Sequence, residues 1–499
     1  MSFRRVLAPA GRRSAARGRT LRTALSLLML GLLLAGAAAI STGNEFFGKP
    51  PSAPQSAPTL TLDYRGSDPG VYQYRDVAIG DVSLLNPGLE IVRAGNRSSP
   101  TWGNVSVSKF NESGGFQNLT GIEHFWQEYF RVDTGQMRPG GPEEIVAAGR
   151  WSGDGGTSYQ AAVRIINGTA PASQIAWKSY GAPVDSYFWA VDVGDVDLDG
   201  EVEFVGVGDA IVGAGGERGL VVVGNLTGGA MQDEHYALYN GSFLPGTVLR
   251  YWSVAIANVD GQGDPEIVIA GDLRGAAFLQ IGNFTGGKWT QIRNITYRTY
   301  ASSTVYMVDV ADIDGDAQME IVCVGKERDP GNSTSYARVS TFTWDGPASP
   351  IVPGATRLWT GNNDDASAYD VVLEDLSSDP GREISTIGYN KNGSQPGEFW
   401  GELNVMNGSL AELTKMQWNG SDIDHWGMSA GDVDADGKLE LVSVGMKGVS
   451  GIWEGETQVT EVPDSLTPVA AAAVAVLFLG SEAASRRSAL HQRRGERRH

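Results

Sequence analysis

Three stretches of this chain set carboxylates at alternate positions and then run into an apolar segment. They are GDVDLDGEVEFVGVG (194–208), ADIDGDAQMEIVCVG (311–325) and GDVDADGKLELVSVG (431–445). Like charges a few ångströms apart repel, so such a turn needs bulk solvent or a bound cation. Counted from the first acid, side-chain oxygens fall at positions 1, 3, 5 and 9. These are Asp195, Asp197, Asp199 and Glu203; Asp312, Asp314, Asp316 and Glu320; and Asp432, Asp434, Asp436 and Glu440. Position 7, occupied by Glu201, Gln318 or Lys438, can add its backbone carbonyl. The alternation aims the oxygens into one concavity, and Gly200 or Gly437 allows the reversal that returns the Glu to it. Six or seven hard oxygens without His or Cys select Ca²⁺ over transition metals. The helix-flanked calcium loop opens in the same way but requires Glu at position 12. Position 12 here is Gly206, Cys323 or Ser443, and the flanks read as strands. A solvated, metal-free acidic turn is the alternative.

Two further turns match less fully. One offers Asn258, Asp260, Gln262, Asp264 and Glu266, the other Asp375, Ser377, Asp379 and Glu383. The pairs Asp81/Glu90 and Asp133/Glu144 have the wrong spacing and are expected to hold their turns without metal.

These turns belong to a pattern that occurs seven times, at 76–95, 130–149, 190–208, 253–271, 308–325, 370–388 and 428–445. Each copy ends in glycine, and the glycines are 54, 59, 63, 54, 63 and 57 residues apart. A period of that size marks a repeat architecture. Alternating apolar residues such as Val191 and Val193 predict a half-buried first strand. After the turn, runs such as EIVIAG predict a second strand buried on both faces. A third strand ends in turns such as GNLTGG, and a fourth carries Trp177, Tyr236, Trp289, Trp359 or Trp418. Four antiparallel strands per period is a propeller blade. The predicted fold class is therefore all-β: a seven-bladed β-propeller over 59–462, with hydrophobic segments at both termini. TLTLDYR (59–65) could complete the last blade, whose first three strands are placed at about 426–455 with TQVTEV (457–462) after them.

The strand, DxDxDGxxE loop and β-branched strand ending in Gly resemble the FG-GAP/VCBS repeat of integrin α-subunit propellers and many prokaryotic surface proteins. The resemblance spans about residues 60–460 and rests on the loop and the period. It implies a structural role for calcium, pinning the hairpin between a blade's first two strands, with partners met on the opposite face. It transfers no ligand-binding residue.

The ends differ from the body. Residues 1–43 combine an Arg-rich leader with ALSLLMLGLLLAGAAAI and read as a secretory signal or membrane anchor; 44–58 form a Pro-rich linker. In 463–499, a short apolar stretch precedes an Arg-rich tail. With VPDS at 462–465, this segment resembles prokaryotic sorting signals of the PEP-CTERM and PGF-CTERM kind. Arginines at both ends place the termini in the cytoplasm and the body outside. Between them, residues 41–463 hold 26 basic and 55 acidic residues, a net charge of −29 that disfavours nucleic acid. Of 20 Asn, 13 begin Asn-x-Ser/Thr sequons: Asn96, Asn104, Asn111, Asn118, Asn167, Asn225, Asn240, Asn283, Asn294, Asn332, Asn392, Asn407 and Asn419. That favours an extracytoplasmic glycoprotein, membrane-anchored or at the cell surface. The single Cys323, in IVCVG, excludes an intramolecular disulfide and reads as a core residue.

No complete catalytic constellation can be assembled. GNFTGGK (282–288) mimics a phosphate loop, but Trp289 follows where Ser or Thr is required. Asp364, Asp365, Asp422, Asp424 and His425 remain, with Trp418 and Trp426 nearby. That face could stack on sugar rings or simply cap a blade. Two classes stay open. One is a non-catalytic, calcium-stabilised surface propeller that binds a protein or glycan; the other is a carbohydrate-active lyase or hydrolase. The first is expected.

Overall fold

The computed structural model describes residues 60–462, apart from 69–72, 87, 98–101, 112–114, 182–184, 213–215, 240–247, 301, 362–364, 378–379, 392–398, 419–422 and 450–451. Both apolar termini lie outside the described residues, as do Asp364, Asp379, Asp422, Asn240, Asn392 and Asn419.

Among the described residues there is no helix, and the strands form seven four-stranded antiparallel sheets. Each blade's first strand is its innermost: Gln73–Gly80, Gln127–Gly135, Ser186–Gly194, Leu249–Ala257, Ser302–Ala311, Ala366–Glu374 and Ile423–Gly431 for blades one to seven. Each inner strand packs beside the next, and the seventh packs beside the first, so the ring is closed. The closing blade draws its outermost strand, Thr61–Asp68, from the other end of the domain, paired with Ile452–Val462 from Thr61↔Glu461 to Asp68↔Gly455. TQVTEV lies inside that third strand and does not follow it.

Seven apolar clusters hold the blades together, one in each gap between neighbouring sheets. Second strands sit between two such clusters, so Glu203–Ile211 is buried along nearly its whole length. This is why EFVGVG reads as a continuous apolar run and not an alternating one. Cys323 is part of one cluster, and burial pushes its thiol up to about 12.

The glycine that ends each repeat has one structural cause. A Cβ on Gly208 would lie 1.8 Å from the carbonyl oxygen of Tyr187 on the adjoining inner strand. The other six repeat-ending glycines meet the same obstruction at 1.9–2.2 Å. Next to each contact the inner strand bulges, leaving one residue without a partner: Arg75, Phe130, Trp189, Trp252, Tyr306, Tyr369 and Trp426 in blade order. The repeat glycine thus admits a bulge, and the bulge turns one extra side chain toward the ring axis.

Candidate functional site

The acidic turns are the hairpins between first and second strands. Asp195, Asp197 and Asp199 each place a carboxylate oxygen within 4.8 Å of the others, and so do Asp312, Asp314 and Asp316. In blade seven the group is Asp432, Asp434 and Glu440. Asp436 turns instead to Lys438, whose ammonium lies 3.1 Å from it and also reaches Glu461.

One backbone conformation recurs in four of these turns. Positions 4 and 6 have positive φ in blade three (Leu198, Gly200), blade four (Gly261, Gly263), blade five (Gly315, Ala317) and blade seven (Ala435, Gly437). That curl points backbone N–H groups inward. Gly200 N donates to Asp195 Oδ2 at 3.1 Å, Gly437 N to Asp432 Oδ2 at 3.0 Å and Ala317 N to Asp312 Oδ2 at 2.9 Å. Blade four, with Asn258 in first position, shares the curl. In blade six Pro380 stands at position 6, and the positive φ moves to Gly381. Proline cannot adopt it.

The position-9 glutamate has a second task. Glu203, Glu266, Glu320, Glu383 and Glu440 are buried, and the Oε2 of each accepts from the N–H at position 2, between 2.8 and 3.0 Å away. Burial pushes Glu203 and Glu440 up to about 8, and Glu266 and Glu320 up to about 7. Burial and neighbouring carboxylates raise Asp197 and Asp434 as well. The first two turns differ. Glu90 caps Val82 N at 3.1 Å, whereas Arg138 donates to Glu144 at 2.6 Å, a built-in cation. Asp133 is not in that turn; it lies in the inner strand Gln127–Gly135.

The residues fit a bound cation. Backbone donors occupy one oxygen of each first-position side chain in blades three and seven. Asp195 Oδ1, Asp197 Oδ1, Asn258 Oδ1 and Asp432 Oδ1 are buried with no hydrogen-bond partner. Buried acceptors left in that state are costly, and a cation would relieve them.

Carboxylates and one hydroxyl on the inner strands also join the blades. Asp76 accepts from Val132 N at 2.8 Å, Ser253 from Val308 N at 3.0 Å and Asp370 from Met428 N at 2.9 Å. A second tier repeats this toward the hairpins: Asp133 with Val193 N, Asp192 with Ile256 N and Asp309 with Leu373 N. Arg131 spans the axis to Asp76 at 2.9 Å and Asp370 at 3.1 Å.

Away from the hairpins, the bulged residues line a cavity of about 280 Å³ on the ring axis, with Arg131 and Asp424. Six of the seven are aromatic, and each stands six residues before the first position of its turn, which is Asp81, Gln136, Asp195, Asn258, Asp312, Asp375 or Asp432, a fixed offset visible in the sequence. Of the candidate acidic face, Asp422 lies outside the described residues, and Asp424 and His425 point to different places. His425 is fully buried inside its blade, stacked on Trp418 and 3.1 Å from Ser443 Oγ, while Asp424 and Trp426 face the axis. Replacing His425 would therefore disturb the core. Asp365 is held by Lys326 at 2.8 Å. Of the sequons, Asn96 and Asn104 are buried, whereas Asn111, Asn118, Asn294 and Asn332 are exposed.

A family model described as FG-GAP-like repeat matches residues 258–323, from the blade-four hairpin to the second strand of blade five. No curated protein matches the chain. With the seven blades, the match supports an FG-GAP type of propeller.

Proposed function

We propose that this chain is a non-catalytic, calcium-stabilised propeller that works outside the cytoplasm, tethered to a membrane through one or both termini. It binds a protein or glycan with the face away from its hairpins. One observation carries the calcium reading: the alternating carboxylates converge in blades three, five and seven, and in two of them carboxylate oxygens are buried with no donor. Asp195, Asp197, Asp199, Asp312, Asp314, Asp316, Asp432, Asp434 and Glu440 would hold three ions, and the blade-four turn, where Asn258 Oδ1 is buried without a partner, a fourth. Bound calcium supplies charge that offsets the carboxylates and ties each turn shut. Its role is structural.

Binding to the folded loops alone makes stability depend on free calcium. EGTA should lower the melting temperature of the purified protein, and millimolar Ca²⁺ should restore it where Mg²⁺ does not. An unchanged melting curve in EGTA would remove the calcium part of the proposal.

A further inference from the structure

We infer that the axial mouth opposite the hairpins binds one neutral pyranose ring, the terminal sugar of a glycan. This names a ligand for the proposed binding function and rests on that reading. The wall is aromatic and nearly continuous. Successive ring centroids lie 4.6 Å apart for Phe130–Trp189, 4.8 Å for Trp189–Trp252, 6.1 Å for Trp252–Tyr306 and 5.2 Å for Tyr306–Tyr369. Each of these rings is half-buried, so each keeps surface for a ligand. Two are fixed from behind: Trp189 donates its indole N–H to Asp209, and Trp252 donates to Asp272 at 2.6 Å. Rings held this way lose little freedom on binding.

The floor is closed by Arg131 between Asp76 and Asp370, so the mouth is a pocket and not a pore. About 280 Å³ lies near the lower bound of small-molecule pockets, roughly 300–1,000 Å³, and suits one sugar ring better than an extended chain. Polar groups are few. Asp424 and Arg75 line the cavity among the rings. A pyranose can lay its C–H face on an aromatic ring, donate a hydroxyl to Asp424 and accept from Arg75.

An aromatic wall beside a carboxylate would also suit a cation. Here that place is taken within the chain: the Arg75 guanidinium lies 4.0 Å from the Trp426 ring centroid. A second cation beside it would be repelled strongly at low dielectric. Asp424 disfavours an anion for the same reason.

The test uses the purified full-length protein in detergent with calcium. Methyl glycosides of glucose, galactose, mannose and N-acetylglucosamine are titrated by calorimetry and tryptophan fluorescence, alongside methyl glucuronide and Nα-acetyl-lysine methyl ester. At least one neutral glycoside should saturate at one site per chain, and Trp252→Ala should weaken it at least tenfold with the melting temperature little changed. If Trp252→Ala does not fold, Asp424→Asn and Tyr306→Leu interrogate the same pocket from two other blades. No saturable neutral ligand, binding indifferent to these variants, or preference for the lysine or glucuronide probe overturns the inference. Calcium-dependent melting measured on the same samples keeps its failure distinct from failure of the proposed function.

Discussion

The buried charges on the axis divide into those with a permanent counter-ion and those without. Arg131 is the shared counter-ion of Asp76 and Asp370. Removing one partner of a buried ion pair typically costs about 3–5 kcal/mol, because the remaining charge is stranded. Arg131→Ala is therefore expected to lower the denaturant midpoint far more than a surface Arg→Ala, checked by equilibrium unfolding in urea. Asp309 has no such partner. Burial pushes it up to about 7, while the N–H groups of Val310 and Leu373 pull the other way. An exposed aspartate titrates near roughly 3.9, so between these values the folded chain binds more protons than the unfolded one. The contribution of Asp309 to stability is complete below that window and is lost as pH rises through 7. Asp309→Asn keeps an acceptor but cannot ionise. It should melt a few degrees above the parent at pH 8, with the difference vanishing by pH 4; an equal difference at both would refute the account.

At the scale of the element, the hairpin backbone decides which turns bind. The two positive-φ positions recur in blades three, four, five and seven, while in blade six Pro380 bars the second of them. Four calcium ions per chain are therefore expected by elemental analysis after dialysis, with one lost in Asp197→Ala and none in Asp375→Ala. The hairpins were legible in the sequence because Asp, Gly and a returning Glu leave a one-dimensional trace at fixed spacing. The axial ring was not. A bulge makes two successive residues, such as Phe130 and Arg131, face the same cavity, which breaks the period of two from which a strand's faces are read. Asp133 was assigned to a turn for the same reason, although it serves the joint between blades two and three. The repeat glycine was visible, but its cause was not, since the carbonyl it avoids is about twenty residues away in the chain.

At the scale of the whole molecule, each blade buries its faces only against neighbours, so the ring is stable only when closed. The strand Thr61–Asp68 is the closure. Deleting residues 1–70 leaves Ile452–Val462 as an open edge, and open edges recruit other chains. The truncated protein should melt lower and elute partly as oligomers on size exclusion; an unchanged profile would mean that the seventh blade is complete with three strands. The same pairing governs how the molecule answers tension. Thr61 lies opposite Glu461, so the two leads to the ring depart side by side from one end of a single ladder. Pulling them apart loads those rungs one after another, in an unzipping geometry, instead of shearing all of them together. Drag on two leads fixed at separate points would peel the seventh blade first, while a load borne by the axial mouth spreads around the hoop and spares the seam.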